Sequence, residues 1–145
     1  RTGIHALCRK PQNLYRSFML KGSLHHIHLF IVDDHPDVLH ALAAQISVTN
    51  EMFVVDTATN VDEALNTIRL LQPDVILVET KRADGRGLEL IDSILQTQVK
   101  SKIAVLTSYF NEWERLKLLT IGVNHYLLKD ISSDHLIEQI TTLAV

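Results

Sequence analysis

The strongest constraint that this sequence places on its fold is a fivefold alternation of short apolar runs with longer amphipathic runs. The first apolar run, residues 27–32, is rich in β-branched side chains, which is typical of a buried strand. The other runs cover residues 53–58, 74–79, 102–107 and 124–128, and apolar residues at helical spacing follow each of them. Near-continuous apolar strands that alternate with amphipathic helices indicate a parallel sheet covered on both faces.

Five such units are too few for a closed eight-stranded barrel, so the sequence predicts an α/β fold with a (βα)5 doubly wound, five-stranded parallel sheet. The length of 145 residues and the apolar content of 46% fit one domain. Cys8 is the only cysteine, which excludes a fold held together by intramolecular disulfides and favours the cytoplasm. No apolar run approaches the roughly 20 residues of a membrane-spanning helix.

Charge is distributed unevenly along the chain. Residues 1–21 contain five of the 14 basic residues and none of the 17 acidic ones, so the remainder has a net charge of −8. An acidic domain is not expected to bind nucleic acid by itself, because phosphate binding depends on clustered Lys and Arg. We interpret residues 1–25 as a basic leader, either flexible or added for expression, and residues 26–145 as the folded domain.

Polar and charged side chains follow four of the five predicted strands, at the edge where such sheets bind ligands. They are Asp33 and Asp34 after the first strand, Glu79 after the third, Thr107 and Ser108 after the fourth, and Lys129 after the fifth. Carboxylates that converge on one edge repel each other unless a cation lies among them, and a hydroxyl and a lysine suit phosphoryl oxygens. The sequence therefore predicts a magnesium and phosphate site.

With these residues placed, the sequence resembles the receiver domain of bacterial two-component response regulators. The resemblance is carried by the acidic pair Asp33-Asp34, the strand 73–78, the tripeptide 87–89, Thr107 and the segment 126–130. The segments 33–36 and 126–130 are most similar to those of the NarL/FixJ type. The resemblance implies a flavodoxin-like receiver fold for residues 26–145.

The resemblance also implies a chemistry, in which an aspartate at the end of the third strand accepts a phosphoryl group from a histidine kinase. It implies that Mg2+ is held by Asp33, Asp34, the residue at position 79 and the backbone carbonyl of Lys81. The implied phosphate pocket and switch comprise Thr107, Ser108, Tyr126 and Lys129. In this scheme Lys129 pairs with the phosphate, and Tyr126 is the aromatic side chain that rotates inward.

The sequence departs from the family pattern at the acceptor position, which is Glu79 rather than aspartate. The following loop has Ala83 in place of the family's proline, and Ser108 replaces a smaller residue. The extra methylene moves the carboxylate by about 1 Å, and a displacement of this size lowers a reaction rate roughly a hundredfold. We therefore expect Glu79 to reach Lys129 or Thr107 and to imitate a phosphorylated aspartate in part, with Mg2+ binding weakened or lost.

Three functions are consistent with these residues. The first is an atypical receiver, not an enzyme, that binds a protein partner independently of phosphorylation. The second is a Mg2+-dependent receiver that a histidine kinase phosphorylates slowly. The third is an α/β phosphatase or hydrolase that uses the acidic edge, although no nucleophile motif accompanies it. An engineered Asp-to-Glu change would produce the same residue, but the simultaneous loss of the loop proline favours natural divergence.

The predicted partner surface surrounds the fourth helix and the fifth strand. Trp113, Arg115 and His125 are its candidate residues, since Trp and Arg are enriched at the energetic centres of interfaces. Trp113 packed half-buried against the sheet is the alternative. By analogy with the family, the partner is a histidine kinase or an output protein, or a second copy bound through the fourth and fifth helices. Tyr109, two residues after Thr107, is expected to border the pocket.

Overall fold

A computed structural model describes residues 26–145 of the chain. The predicted basic leader, residues 1–25, lies outside the described part. The five strands are β1 (Ile27–Val32), β2 (Met52–Ala58), β3 (Val75–Val78), β4 (Lys102–Thr107) and β5 (His125–Leu128). The five helices are α1 (Pro36–Ile46), α2 (Val61–Leu71), α3 (Gly87–Gln96), α4 (Glu112–Thr120) and α5 (Ser133–Ala144). Predicted and observed strand ends differ by one residue at most.

All strands are parallel and form one sheet in the order β2-β1-β3-β4-β5, which confirms the predicted doubly wound fold. The strand order reverses between β1 and β3, where Val32 pairs with Val78. A crevice forms at such a reversal beyond the carboxyl ends of the strands. Asp33 and Glu79 are the first residues beyond these two strand ends, so the topology places both at the crevice.

The sheet has an apolar core on each face, as the near-continuous apolar strands predict. Phe30 and Val32 of β1 pack on the side of α2, α3 and α4, whereas Leu29 and Ile31 pack on the side of α1 and α5. This division follows from the alternation of side chains along a strand. No helix within residues 26–145 is both long and apolar enough to cross a membrane.

Side-chain caps begin three of the helices. The Asn60 carboxamide accepts a hydrogen bond from Glu63 N at the start of α2, and Asn111 caps α4 in the same way through Glu114 N. Ser132 accepts from His135 N at the start of α5. The cap on α4 matters for the site, because it sets the position of Glu114 in the first turn.

The first residue of α3 packs directly against the loop that follows β3. A Cβ atom on Gly87 would lie 2.2 Å from the carbonyl oxygen of Thr80, which is far inside van der Waals contact. Only glycine allows this approach, and the approach holds the backbone of Thr80 beside the crevice.

Gly87→Ala should therefore destabilise the domain by about 1–3 kcal/mol, the usual effect of overpacking. Urea denaturation would measure the change in unfolding free energy. Ser93→Ala, on the same helix, is the control and should change it by less than about 0.5 kcal/mol. Equal free energies for Gly87→Ala and the wild type would contradict the close packing.

Candidate functional site at the carboxyl edge of the sheet

Two buried carboxylates face each other across the crevice between β1 and β3. Asp33 is 1% exposed and Glu79 is 4% exposed. The backbone holds each in place, since Asp33 N donates to Ala58 O at 3.1 Å and Glu79 N donates to Val32 O at 2.9 Å. Burying two negative charges side by side is unfavourable unless a cation compensates for them.

Lys129 provides that cation. Its Nζ lies 2.5 Å from Asp33 Oδ2 and 2.8 Å from Glu79 Oε1, so one ammonium group is shared by both carboxylates. Burial by itself lowers the pKa of Lys129, but the hydrogen bonds to Asp33 and Glu79 outweigh burial and raise it. The Lys129 amide donates to Thr107 O, which ties the start of the β5–α5 loop to the end of β4. The contact between Glu79 and Lys129 is one of the two that the sequence predicts.

The second oxygen of Glu79 is also occupied. Glu79 Oε2 accepts a hydrogen bond of 2.8 Å from Lys81 N. The side chain of Lys81 turns away from Glu79, and its Nζ lies 3.2 Å from Glu114 Oε1 on α4. Both oxygens of the residue at the acceptor position therefore have partners in the structure.

Asp33, Asp34 and His35 form a compact group of potential metal ligands. One ligand atom from each of the three lies within 4.8 Å of the others. His35 Nδ1 lies 3.1 Å from Asp33 Oδ1 and 2.9 Å from Asp34 Oδ1. Only the first of these contacts is a hydrogen bond. Asp34 Oδ1 is buried and has no hydrogen-bond partner in the described part of the chain, so its contact with His35 is one of distance alone. Of the four predicted metal residues, the structure brings Asp33 and Asp34 into this group, while Glu79 bonds to Lys129 and Lys81.

The loop after β3 is anchored by two contacts that cross the crevice. Ala83 N donates to Asp34 Oδ2 at 2.7 Å. Arg82, with a buried side chain, donates through Nη2 to Thr59 O at 2.6 Å and pairs with Asp84. The proline that the family pattern has at position 83 lacks an N–H group, so the bond to Asp34 depends on the substitution seen here.

The predicted phosphate-pocket residues occupy three different environments. Thr107 is fully buried, and its Oγ1 has no hydrogen-bond partner among residues 26–145. Ser108 is exposed. Tyr126 is partly buried, and its hydroxyl donates to Glu114 Oε2 at 2.7 Å and accepts from Asn111 N at 3.2 Å. The Thr107 hydroxyl is therefore buried without a partner among the described residues, whereas the Tyr126 hydroxyl has two.

The predicted partner residues lie on the surface. Trp113 is 62% exposed, which excludes the alternative in which it packs half-buried, and Lys117 Nζ lies 5.1 Å from its ring centre. Arg115 pairs with Glu112 on α4, and His125 contacts Asn124. Tyr109 is also exposed, and no described contact places its side chain in the pocket.

Two residues of the site escaped the sequence reasoning. His35 directly follows Asp33 and Asp34 in the sequence, and this position could have indicated that it belongs to the site. Glu114 is buried on α4 and contacts Thr80, Lys81 and Tyr126. Glu114 lies four residues before the buried Leu118, which places both on the inner face of α4. A charged residue on this otherwise apolar face could have indicated a buried polar contact.

Comparison with known proteins identifies the family. The family model described as "Response regulator receiver domain" matches residues 29–141. The chain belongs to this family. The receiver domain is 31% identical to the "DNA-binding transcriptional activator DevR/DosR" of Mycobacterium tuberculosis, over 72% of this chain and 48% of that protein. It is 27% identical to the "Nitrate/nitrite response regulator protein NarL" of Escherichia coli, over 76% of this chain and 51% of that protein.

The receiver domain spans about half the length of these curated relatives. Among solved structures, the signal receiver domain of a NarL response regulator from Mycobacterium tuberculosis superposes with a TM-score of 0.76. The match covers 83% of this chain and 97% of that one at 19% identity, so it shows a common fold. These findings confirm the NarL-like resemblance and the receiver fold.

Lys129→Met should leave Asp33 and Glu79 buried without their shared cation. Removing one partner of a buried pair costs about 3–5 kcal/mol, so we expect the unfolding free energy in EDTA to fall by about 3 kcal/mol. Excess Mg2+ should restore part of the loss, because it binds the folded state preferentially. Urea denaturation with and without Mg2+ measures both effects.

Lys102→Met is the matched control, since Lys102 is exposed on β4. Its stability should stay near that of the wild type under both conditions. If Lys129→Met were as stable as Lys102→Met, the shared ammonium group would not be what compensates for the two carboxylates.

Proposed function

We propose that this receiver domain is a signalling module that works through protein contacts and does not depend on phosphorylation at position 79. The observation that carries the proposal is the 2.8 Å contact between Glu79 Oε1 and Lys129 Nζ. In the family scheme, the lysine at this position pairs with the phosphate. Here a carboxylate of the chain itself already occupies it.

The geometry opposes phosphoryl transfer to Glu79 for two reasons. A nucleophilic oxygen needs an open approach to the phosphorus atom, but Glu79 is only 4% exposed, and each of its oxygens already has one partner, Lys129 or the amide of Lys81. In addition, the longer side chain moves the carboxylate from the place of an aspartate, and near-attack geometry tolerates little displacement. The additional length of the glutamate side chain also brings its carboxylate to Lys129.

Glu79 imitates the phosphorylated state only in part. A phosphate has three acceptor oxygens and nearly two charges, whereas a carboxylate has two oxygens and one charge. This difference agrees with the contacts, since Lys129 has a partner and Thr107 Oγ1 has none within the described part. In the proposed module, Lys129 therefore already has a negatively charged partner, as it would with phosphate, whereas Thr107 has none within the described part.

The residues present fit a divalent cation at the acidic pair. Asp33 and Asp34 offer the carboxylate oxygens that Mg2+ prefers, and Asp34 Oδ1 is a buried oxygen without a hydrogen-bond partner among the described residues. When bound, Mg2+ would neutralise charge on phosphoryl oxygens. Its binding is weakened because Lys129 holds Glu79 and one oxygen of Asp33, and because Ala83 N occupies Asp34 Oδ2.

Intact-mass spectrometry after incubation with Mg2+ and acetyl phosphate tests the proposal. The wild type should gain no phosphate. Glu79→Asp should gain one, because the shorter side chain withdraws from Lys129 and leaves the retained Thr107 and Lys129 to bind the phosphoryl group. Glu89→Asp, the same change on the exposed face of α3, is the control and should behave as the wild type does.

Two other outcomes of the acetyl phosphate experiment distinguish between the alternatives. If Glu79→Asp gains no phosphate but Glu79→Asp combined with Ala83→Pro does, the bond from Ala83 to Asp34 is a second reason why the domain is not phosphorylated. Stoichiometric phosphorylation of the wild type would refute the proposal. That result would favour the slow Mg2+-dependent receiver, for which the unpartnered Thr107 hydroxyl is the supporting observation.

Partner binding is proposed at the exposed apolar side chains of the α4 region. We define the α4 face by Phe110, Trp113 and Leu116, which are 56%, 62% and 48% exposed. It borders β5, the edge strand of the sheet, through the contact of Phe110 with Tyr126, and Arg115 lies on the same helix. We propose that a second copy of the domain binds here, as the family resemblance suggests for the fourth and fifth helices. A histidine kinase or output protein in the cytoplasm is the other partner that the family implies.

Trp113→Lys should weaken self-association by roughly thirtyfold, because losing a central Trp costs about 2 kcal/mol or more. Light scattering over a concentration series measures the molar mass. Leu70→Lys is the control, since Leu70 is 76% exposed on α2, away from the α4 face, and should associate as the wild type does. A wild type that stays monomeric throughout would rule out the homodimer.

A further inference from the structure

A buried carboxylate on α4 lies at the centre of a polar network that the proposed function does not use. Glu114 is 6% exposed. Its Oε2 accepts hydrogen bonds from Thr80 Oγ1 at 2.8 Å and from Tyr126 OH at 2.7 Å. Its Oε1 lies 3.2 Å from Lys81 Nζ. One carboxylate therefore joins three residues from two segments that are far apart in sequence.

The network begins at the acceptor position. Thr80 and Lys81 directly follow Glu79, and Lys81 N donates to Glu79 Oε2 at 2.8 Å. The amide of Lys81 thus contacts Glu79, while its side chain contacts Glu114. Any change at position 79 that moves this backbone also moves two of the three groups that satisfy the Glu114 carboxylate.

The network ends at the α4 face. Burial and the hydrogen bond to Glu114 raise the pKa of the Tyr126 phenol, which keeps it a donor to Glu114. The ring of Tyr126 packs edge-on against Phe110, with centroids 5.8 Å apart. Glu114 directly follows Trp113 along α4, and the network contacts the α4 face through Phe110.

We propose that Glu114 is a positioning residue that couples the pocket around Glu79 to the α4 face. A buried carboxylate requires its donors, because leaving such a group unsatisfied is costly. If a ligand or partner displaces Thr80 and Lys81, Glu114 loses two of its three partners, and the first turn of α4 together with Tyr126 must rearrange. The coupling rests on the proposed function, because it assigns the regulation of that same pocket.

The test perturbs one end of the network and measures the other, with unphosphorylated protein and no phosphodonor. Tyr126→Phe removes one donor to Glu114. Hydrogen exchange measured by NMR at the Lys81 amide should become about fivefold faster, which corresponds to one weakened hydrogen bond. Tyr109→Phe is the matched control, because Tyr109 is exposed, and should leave the exchange rate unchanged.

The decisive comparison repeats Tyr126→Phe in a Glu114→Leu background, which keeps the packing of α4 but removes the acceptor. The acceleration at Lys81 should disappear there. An unchanged Lys81 rate in Tyr126→Phe alone, or an equal acceleration in both backgrounds, would overturn the proposal. A merely structural Glu114 would change stability in these variants without making the effect of Tyr126→Phe at Lys81 depend on Glu114.

A second arm applies if Glu114→Leu does not fold. Glu114→Gln keeps one carbonyl oxygen for Thr80 and Tyr126 but loses the charge that pairs with Lys81. Lys81→Met should shift the emission of Trp113, the only tryptophan, in the wild-type background and not in Glu114→Gln. Equal shifts in both backgrounds would refute the coupling. Phosphorylation of the wild type by acetyl phosphate would overturn the proposed function without changing either result.

Discussion

The site depends on one ammonium group placed between two buried carboxylates. Asp33 and Glu79 are brought together because the strand order reverses between β1 and β3, and the ammonium group of Lys129 contacts both carboxylates. The backbone bond from Lys129 to Thr107 connects this pair to the end of β4. The compensation within the chain is partial, because one ammonium group faces two carboxylates and Asp34 lies beside them.

Under the proposed function, Glu79 and Ala83 act on the same pocket. Glu79 is long enough to reach Lys129, and Ala83 has the N–H group that a proline lacks. The first occupies the group that would bind phosphate, and the second occupies one oxygen of the pair that would bind metal. Both residues bond within the chain to groups that the proposed scheme assigns to phosphate and to metal.

Much of this could be predicted from the sequence. The apolar runs placed the ends of the strands within one residue, because a continuous apolar run directly reflects a strand buried on both faces. The residues at the carboxyl edge followed from the parallel topology, and the contact of Glu79 with Lys129 followed from the length of a glutamate. The role of Glu114 could not be predicted in the same way. Its partners are 34 and 12 residues away along the chain, and only the packing of α4 brings them within hydrogen-bond distance.

The sequence by itself determined the class of sheet, the edge that carries the polar residues and the presence of a glutamate at position 79, since these depend on local pattern and residue identity. The tertiary structure decided how the charges are shared. It paired Lys129 with two carboxylates and directed the side chain of Lys81 to Glu114, while the Lys81 amide bonds to Glu79. It also left the Thr107 hydroxyl without a partner among the described residues and exposed Trp113. The reason is physical. A charged side chain has several partners within reach of its length, and the choice among them is made by burial and distance in three dimensions.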